Sequence, residues 1–577
     1  MTKTGGAALV VRALEDEGIR FAFGIPGTHN IELYDALATS EKVRTVLITD
    51  EQSAGFMADA VWRANRELAC VNVVPGAGLT HALSGIAEAY LDGMPLLVLG
   101  CGIRRDSRFG YQLHDVDQLA IAAPVCKATF RPAAGRELYR TIRTACAIAR
   151  AGTPGPVMVE VPVDQYLFKH DAEPESPPEP IPPPVADPAL LARAVSLLTA
   201  SGARPLLYVG WGAATAGPAL VRLAEALGAP VATTITGKGV FPESHPLFLW
   251  NGFGDAAPPF VRELAGECTV TLAIGCRFSE VGTGSYSSVP KGPLIHADIN
   301  REVIGRNFPA AIGLEGDAAA VIGALLEGVR GQPAPDRSQL AEAIRLGHAQ
   351  VIQGRRDAAS RDRVTPAVLF DGLARAFGAD TIYTTDSGNG TFLAMECLKL
   401  DRPGQLLAPV DYSCMGYAVP AAIGAKLARP EVPVIALPGD GALLMTGLEL
   451  LTAASQGVPI AVFVLRDREL AQIAQFQRTA FNRKAASILA EYDVASLAET
   501  VGIEWLRLDR DVEVGEVVEY ARRVTAAGRP IVVDVAIDYT EATYFTKGVV
   551  RTNLGRLPFR DRLRFIGRAV LRRMGSV

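Results

Sequence analysis

Short runs of β-branched and other apolar residues recur along the chain, separated by stretches whose apolar positions repeat at helical spacing. VRTVLIT, ELACVNVV, MPLLVLG and PGPVMVEVP lie in the first part. RPLLYVG, APVATT, TVTLAIG and GPLIHADI lie in the middle, and ADTIYTTD, VPVIALPG, VPIAVFVL and RPIVVDVAID in the last. Nearly continuous apolar runs suit strands buried on both faces, and their alternation with helices predicts parallel sheets covered on both sides. The expected fold is therefore α/β, with three doubly wound parallel-sheet domains in series over residues 1–168, 190–330 and 365–543. Between Asp171 and Pro188 eight of eighteen residues are proline, which favours an extended connector and predicts a linker over 169–189. A polar, Arg-rich and helical segment over 331–364 forms a second linker, and residues 544–577 form a C-terminal tail.

The chain has 577 residues, 49% hydrophobic and 21% charged, enough apolar material for several cores. Arginine and lysine number 57 against 62 acids, a formal charge of -5, which does not suit a body built on phosphate backbones, so no nucleic-acid partner is expected. No apolar run is long enough to span a bilayer and the N-terminus lacks a signal-peptide pattern, so the expected compartment is the cytoplasm. The eight cysteines are scattered without a C-x-x-C pair. They read as small buried hydrophobes, with neither a disulfide framework nor a zinc site indicated.

In doubly wound sheets ligands bind beyond the carboxyl ends of strands. After VPVIALP come Gly439, Asp440 and Gly441, then 24 residues, then Arg466, Asp467, Arg468 and Glu469. One βαβ unit thus brings Asp440 and Asp467 to the ends of two strands. Two carboxylates there suit a Mg²⁺-diphosphate, and the glycines allow close backbone approach. The same three residues would also serve as an ordinary strand-to-helix turn. In the first domain VRTVLIT is followed by Asp50 and Glu51 and a helical pattern. Glu51 is either a functional carboxylate at a strand end or an acid in a helix's first turn.

The Gly-Asp-Gly spacing resembles that of thiamine-diphosphate (ThDP) enzymes, in which an Asn-Asn pair follows after 24 to 27 residues. The stretches GIPGTHNIELYDAL, DEQSAGFMADA and VVPGAGLTHALSGIAEAYLDGMPLLVLG resemble the pyrimidine-binding domain of that superfamily, closest to its acetolactate synthase large-subunit and pyruvate oxidase branch. The resemblance runs from about residue 4 to 545. It implies ThDP and Mg²⁺ as cofactors, Asp440 and Asp467 as side-chain metal ligands, Glu469 as a ligand through its carbonyl, and Gly27, Gly78, Gly439, Gly441 and Ala442 at the cofactor. Arg466-Asp467 replaces Asn-Asn, and Arg466 is expected to offset the added charge. Glu51 is implied to hydrogen-bond N1′ of the aminopyrimidine, favouring the imino tautomer that removes the thiazolium C2 proton. Met415 is implied to wedge between the cofactor rings, the Ser413 carbonyl to accept from the 4′-amino group, and Gln112 to reach the reaction centre. His29, His81 and His114 fall in predicted loops facing the cleft.

In the middle domain G-W-G-A-A-T is only part of a dinucleotide fingerprint. GCRFSEVGTG and LIHADIN resemble segments that hold FAD in acetolactate synthases, making Gly275, Arg277 and Asp298 flavin candidates; the alternative is a relic domain that binds nothing. The arginine that receives the acceptor's carboxylate in that family corresponds to Val281, and the acceptor-pocket tryptophan to Phe476. In the tail, Leu563, Ile566, Val570, Leu571 and Met574 recur at helical spacing among Arg562, Arg564, Arg568, Arg572 and Arg573. A helix of this kind could lie on an anionic membrane as a peripheral contact, wrap a neighbouring subunit, or lid the site.

The resemblance implies a homodimer or homotetramer whose cofactor spans two subunits. It further implies an acetolactate synthase-like carboligase that cleaves a 2-oxo acid or acyloin and passes the acyl-anion equivalent to an acceptor. A decarboxylase, an acyloin or acyl-CoA lyase, a flavin-linked pyruvate oxidase, and a weakened paralogue serving as a regulatory subunit are the alternatives.

Overall fold

The computed structural model describes residues 3–171, 178–332, 335–357 and 362–574. The predicted alternation is realised as three six-stranded sheets in which all paired strands are parallel. In the first sheet the order is Arg44–Leu47, Phe21–Gly24, Cys70–Val73, Leu97–Gly102, Val157–Pro162, Ala128–Phe130. The third runs Leu406–Leu407, Ile382–Thr385, Val434–Leu437, Ala461–Arg466, Ile531–Ala536, Glu504–Leu508. Numbered within its own domain, each reads 2-1-3-4-6-5, so the first and third domains are topological copies. The middle sheet, Phe248–Asn251, Val231–Thr233, Pro205–Val209, Val270–Ile274, Leu294–Asp298, Ile312–Glu315, reads 3-2-1-4-5-6, the dinucleotide-binding order.

Apolar runs without alternation are explained by burial of both faces. In the first sheet Val98 and Met158 enter one core while Leu97, Leu99, Val157 and Val159 enter another. In the third, Val434 and Val462 face one core and Ile435 and Phe463 the other. One of these cores is common to the first and third domains. It closes where helix Glu51–Asn65 meets helix Ala418–Ala428, whose sequence AVPAAIGAKLA is apolar nearly all round and so needs burial on every side. A Cβ on Gly424 would sit 2.3 Å from the Met57 carbonyl oxygen, so glycine is required at that crossing.

Two segments of the expected linkers carry structure of their own. Lys169–Asp171 pairs antiparallel with Lys3–Gly5, and Ser338–Asp357 forms a 20-residue helix whose His348 stacks on Phe248 and Trp250 of the middle domain. Residues 172–177, 333–334, 358–361 and 575–577, parts of the expected linkers and tail, lie outside the described residues. All eight cysteines are free thiols, and among the described residues no helix is long and apolar enough to cross a membrane.

The middle and third domains are joined by a buried ion pair. Lys238 Nζ, 1% exposed, donates to both Glu243 oxygens at 2.8 and 2.6 Å and to the carbonyls of Met395 and Leu398 at 3.2 and 2.9 Å. Burial lowers the lysine pKa and the Glu243 carboxylate works against that shift. Lys238→Met would strand the glutamate, and the expected loss is about 3–5 kcal/mol, read from the chemical denaturation midpoint, with part of it recovered in Lys238→Met/Glu243→Leu.

Candidate active site

The chain order places ligand sites at the switch point between strands 1 and 3 of the first and third sheets, where the topology reverses. In the third domain this point is a pocket of about 200 Å³ walled by Asp386 to Gly390, Gly439 to Ala442, Asp467 and Glu469 to Ile473. Helices Asn389–Cys397 and Ala471–Phe481 begin at the pocket, as does the shorter Asp440–Thr446 that opens at Gly439. Their first N–H groups have no intrahelical partners and carry the positive ends of the helix dipoles, so the pocket suits an anion. Its side chains point the other way: four carboxylates, Asp386, Asp440, Asp467 and Glu469, and no lysine, arginine or histidine. An anion and a divalent cation bound together would satisfy both sets of groups.

Asp440 accepts from Gly441 N at 2.9 Å and from Arg468 N at 2.7 Å. Asp467 accepts from Glu469 N at 3.2 Å. Burial, then the neighbouring Asp440 carboxylate, pushes Asp467 up to about 7, and burial also raises Asp440. Arg466, expected to offset the added charge, pairs with Asp534, its Nε 2.5 Å from Asp534 Oδ1. It acts on the site only through its charge near Asp440. The Glu469 side chain is engaged by Lys484.

Met415 and Ser413 reach the same pocket. Ser413 holds φ +66° and Gly416 φ +89°, a kinked path that carries the chain past the pocket. First-domain acids fix this path: Cys414 N donates to Glu88 at 2.9 Å and Asp411 N to Asp92 at 3.1 Å. Burial raises Glu88 to about 9.

Three site residues escaped the sequence reading. Asp386 Oδ1 accepts from Tyr417 N and Ala418 N at 2.6 and 3.2 Å, while its Oδ2 and the Asn389 Oδ1 are buried without a partner. The end of the run ADTIYTTD, which closes on Asp386, and the residues directly after it were the signal, since the same strand-end rule that found Asp440 covers them. Glu449 had none: it accepts from Thr49 N, Thr49 Oγ1 and Asp50 N at 3.0, 2.8 and 3.2 Å, a contact 400 residues long in sequence.

In the first domain the corresponding switch point holds Gly27, Val74 to Gly78 and Glu51. A Cβ on Gly27 would meet Val74 at 2.5 Å, and one on Gly78 would meet Val74 at 2.8 Å and Glu51 Oε1 at 3.2 Å, so these glycines keep the glutamate's surroundings open. Glu51 starts helix Glu51–Asn65, capped by Asp50, and is 8% exposed. His81 Nδ1 lies 3.3 Å from Glu51 Oε2. His81 belongs to helix Ala77–Asp92 and not to a loop, because the helix begins four residues earlier, whereas His29 and His114 meet edge-to-face at 5.5 Å between ring centroids. Gln112 is half-buried and donates to the Arg104 carbonyl at 3.0 Å. Neither Glu51 nor Gln112 lines the third-domain pocket of its own chain.

Three family models match the chain: thiamine pyrophosphate enzyme N-terminal TPP binding domain over residues 4–121, central domain over 191–325, and C-terminal TPP binding domain over 386–535. This chain belongs to the thiamine pyrophosphate enzymes. It is 32% identical over 556 residues to the probable acetolactate synthase large subunit of Methanocaldococcus jannaschii, covering 93% of this chain and 92% of that one. The acetolactate synthase isozyme 3 large subunit of Escherichia coli is 31% identical over 561 residues, 94% and 96% of the two chains. An acetolactate synthase of Mycobacterium bovis is 30% identical over 547 residues, 92% and 88%. The chain is thus an enzyme with ThDP-binding first and third domains, acetolactate synthase-like along nearly its whole length.

The middle domain of this ThDP enzyme has its own cleft at the switch between Pro205–Val209 and Val270–Ile274, about 110 Å³, with Gly275, Arg277, Asp298 and Trp211 in its wall. Arg277 is held by Asp411 at 2.8 Å and by the Leu91 carbonyl. Gly275, at φ +58°, packs against Gly212, so a Cβ would fall 2.7 Å from the Gly212 backbone. Asp298 accepts from Asn300 N at 2.9 Å, and burial raises it to about 6.

Proposed function

We propose that the enzyme is a ThDP- and Mg²⁺-dependent carboligase that takes a 2-oxo acid or acyloin as donor and hands the acyl carbon to an acceptor. The observation that carries this reading is the third-domain pocket, where helix N-termini meet Asp440, Asp467 and two unpartnered amide and carboxyl oxygens. Asp440 and Asp467 side chains and the Glu469 carbonyl would hold Mg²⁺, the helix N-termini the diphosphate, and Met415 and Ser413 the rings. ThDP would supply there a carbon acid whose deprotonated form is a nucleophile for the donor's carbonyl and a carrier for the acyl carbon. Glu51 holds or moves the proton at the pyrimidine N1′, and Gln112 would reach the reaction centre. Glu51 does not line the pocket of its own chain, which supports a homodimer, or a homotetramer, in which a second copy completes each site.

The acceptor is read from Val281. It packs in an apolar cluster with Phe392, Met395 and Phe545, and a valine makes no bidentate carboxylate contact. This supports an aldehyde or another acceptor without a carboxylate over a second 2-oxo acid. A flavin in the middle cleft is supported by the 3-2-1-4-5-6 strand order and by Gly275, Arg277 and Asp298.

The test is to purify the enzyme, record flavin absorbance, and assay CO₂ from a panel of 2-oxo acids with ThDP and Mg²⁺, with and without aldehyde or dye acceptors. CO₂ release with aldehyde-dependent carboligation is expected. Release only with a dye would replace the carboligase with an oxidase. No release from any 2-oxo acid, with an acyloin cleaved instead, would make it a lyase.

A further inference from the structure

The Ser413 carbonyl and the Cys414 N–H belong to one planar peptide unit, so whatever grips the N–H also sets the direction of the carbonyl. The grip comes from the first domain. Glu88, 0% exposed on helix Ala77–Asp92, accepts from Cys414 N through Oε2 at 2.9 Å, and its Oε1 is buried without a partner. On either side of this peptide, Asp411 N donates to Asp92 Oδ1 at 3.1 Å and Tyr417 N to Asp386 Oδ1 at 2.6 Å. Ser413 itself stands at φ +66°, a conformation that a residue with a Cβ keeps only when its surroundings impose it. The guanidiniums among these acids are engaged elsewhere. Arg63 donates to Asp59 at 2.8 Å and to Asp92 at 2.7 Å, and Arg277 to Asp411 at 2.8 Å. The Cys414 thiol and the Tyr417 hydroxyl, which also face Glu88, are kept protonated by burial. Burial, then the Asp92 carboxylate, pushes Glu88 up to about 9.

We propose that Glu88 is a positioning residue that aims the Ser413 carbonyl at the 4′-amino group of the cofactor by holding the far side of the same peptide. This inference rests on the reading of the pocket as a ThDP site. At neutral pH Glu88 is an uncharged carboxylic acid, its Oε2 the acceptor and its Oε1 the bearer of the proton. Ionisation would add a charge beside Asp59 and Asp92, so the hold is built for the neutral form. Glutamine keeps a carbonyl oxygen for Cys414 N and carries no charge, which makes it the matched replacement. Alanine and leucine leave that buried N–H without an acceptor, and the peptide is then free to turn its carbonyl away. Because folding raises the Glu88 pKa, its contribution to stability is complete in acid and is lost as pH rises through about 9.

ThDP and its 4′-desamino analogue are titrated calorimetrically into the full-length wild type, Glu88→Gln, Glu88→Ala and the space-filling Glu88→Leu in Mg²⁺ buffer. Glu88→Ala and Glu88→Leu should lose about tenfold in affinity for ThDP, the worth of one buried hydrogen bond. Toward the analogue, which offers Ser413 no amino group, they should match the wild type, and Glu88→Gln should match it toward both ligands. Equal losses for the two ligands would make Glu88 a structural residue only, and undiminished ThDP binding would separate it from Ser413. Either result overturns the proposal. Melting midpoints of the cofactor-free proteins provide a measure that needs no ligand: Glu88→Gln should gain on the wild type as pH rises from the ordinary carboxylate range to about 9. A difference that stays constant over that range would overturn the uncharged acid. Failure of the wild type itself to bind ThDP would instead overturn the reading of the pocket, and this inference with it.

Discussion

Glu51→Gln is expected to lower kcat by about 10²–10⁴-fold, the usual worth of a positioned general acid or base, with ThDP binding held within a few-fold. Glutamine has the shape of glutamate, so the corner survives: Asp50 still caps the helix through Gln52 N at 2.9 Å, and Glu449 still grips Thr49 and Asp50. What disappears is a group able to exchange a proton in a nearly closed setting, 8% exposed. The diphosphate and metal groups lie in the third domain, where the substitution touches nothing, which is why binding and turnover should separate. Steady-state kinetics and calorimetric titration of ThDP in Mg²⁺ buffer measure the two quantities. A variant with native kcat would remove Glu51 from the chemistry.

Asp440→Ala is expected to abolish Mg²⁺-dependent ThDP binding, with more than about 100-fold loss of apparent affinity, since changing even a partner of a metal ligand costs about 10–100-fold. The pocket has no basic side chain to hold a diphosphate without a cation, so loss of the metal cannot be offset by a neighbouring guanidinium or ammonium. Asp440 also accepts two backbone N–H groups, from Gly441 and Arg468, and thereby ties the ends of two strands at the pocket floor. Asp467→Asn provides the contrast. It keeps an oxygen ligand and removes one of two adjacent acids, so near-native binding is expected, while Asp467→Ala should behave like Asp440→Ala. Chelation of the wild-type enzyme should reproduce the alanine variants, and addition of Mg²⁺ should restore the wild type alone. Tight ThDP binding by Asp440→Ala in chelator would refute the metal assignment.

The sequence by itself determined the three parallel-sheet domains, because a strand covered on both faces must be apolar throughout, as in Val98 to Leu99 or Phe463 to Val464. It also put Asp440, Asp467 and Glu51 just beyond strand ends, because those positions are local to the runs that precede them. The tertiary structure alone decided what crosses between distant segments. Only packing shows that helices Glu51–Asn65 and Ala418–Ala428 build one core, that Glu449 steadies the corner before Glu51, and that Arg466 turns to Asp534 and not to Asp467. Local patterns record which face of an element is buried. They do not record against what, since any apolar surface of fitting shape satisfies the same hydrophobic stripe, and a buried charge finds its partner only when the fold has brought the two together.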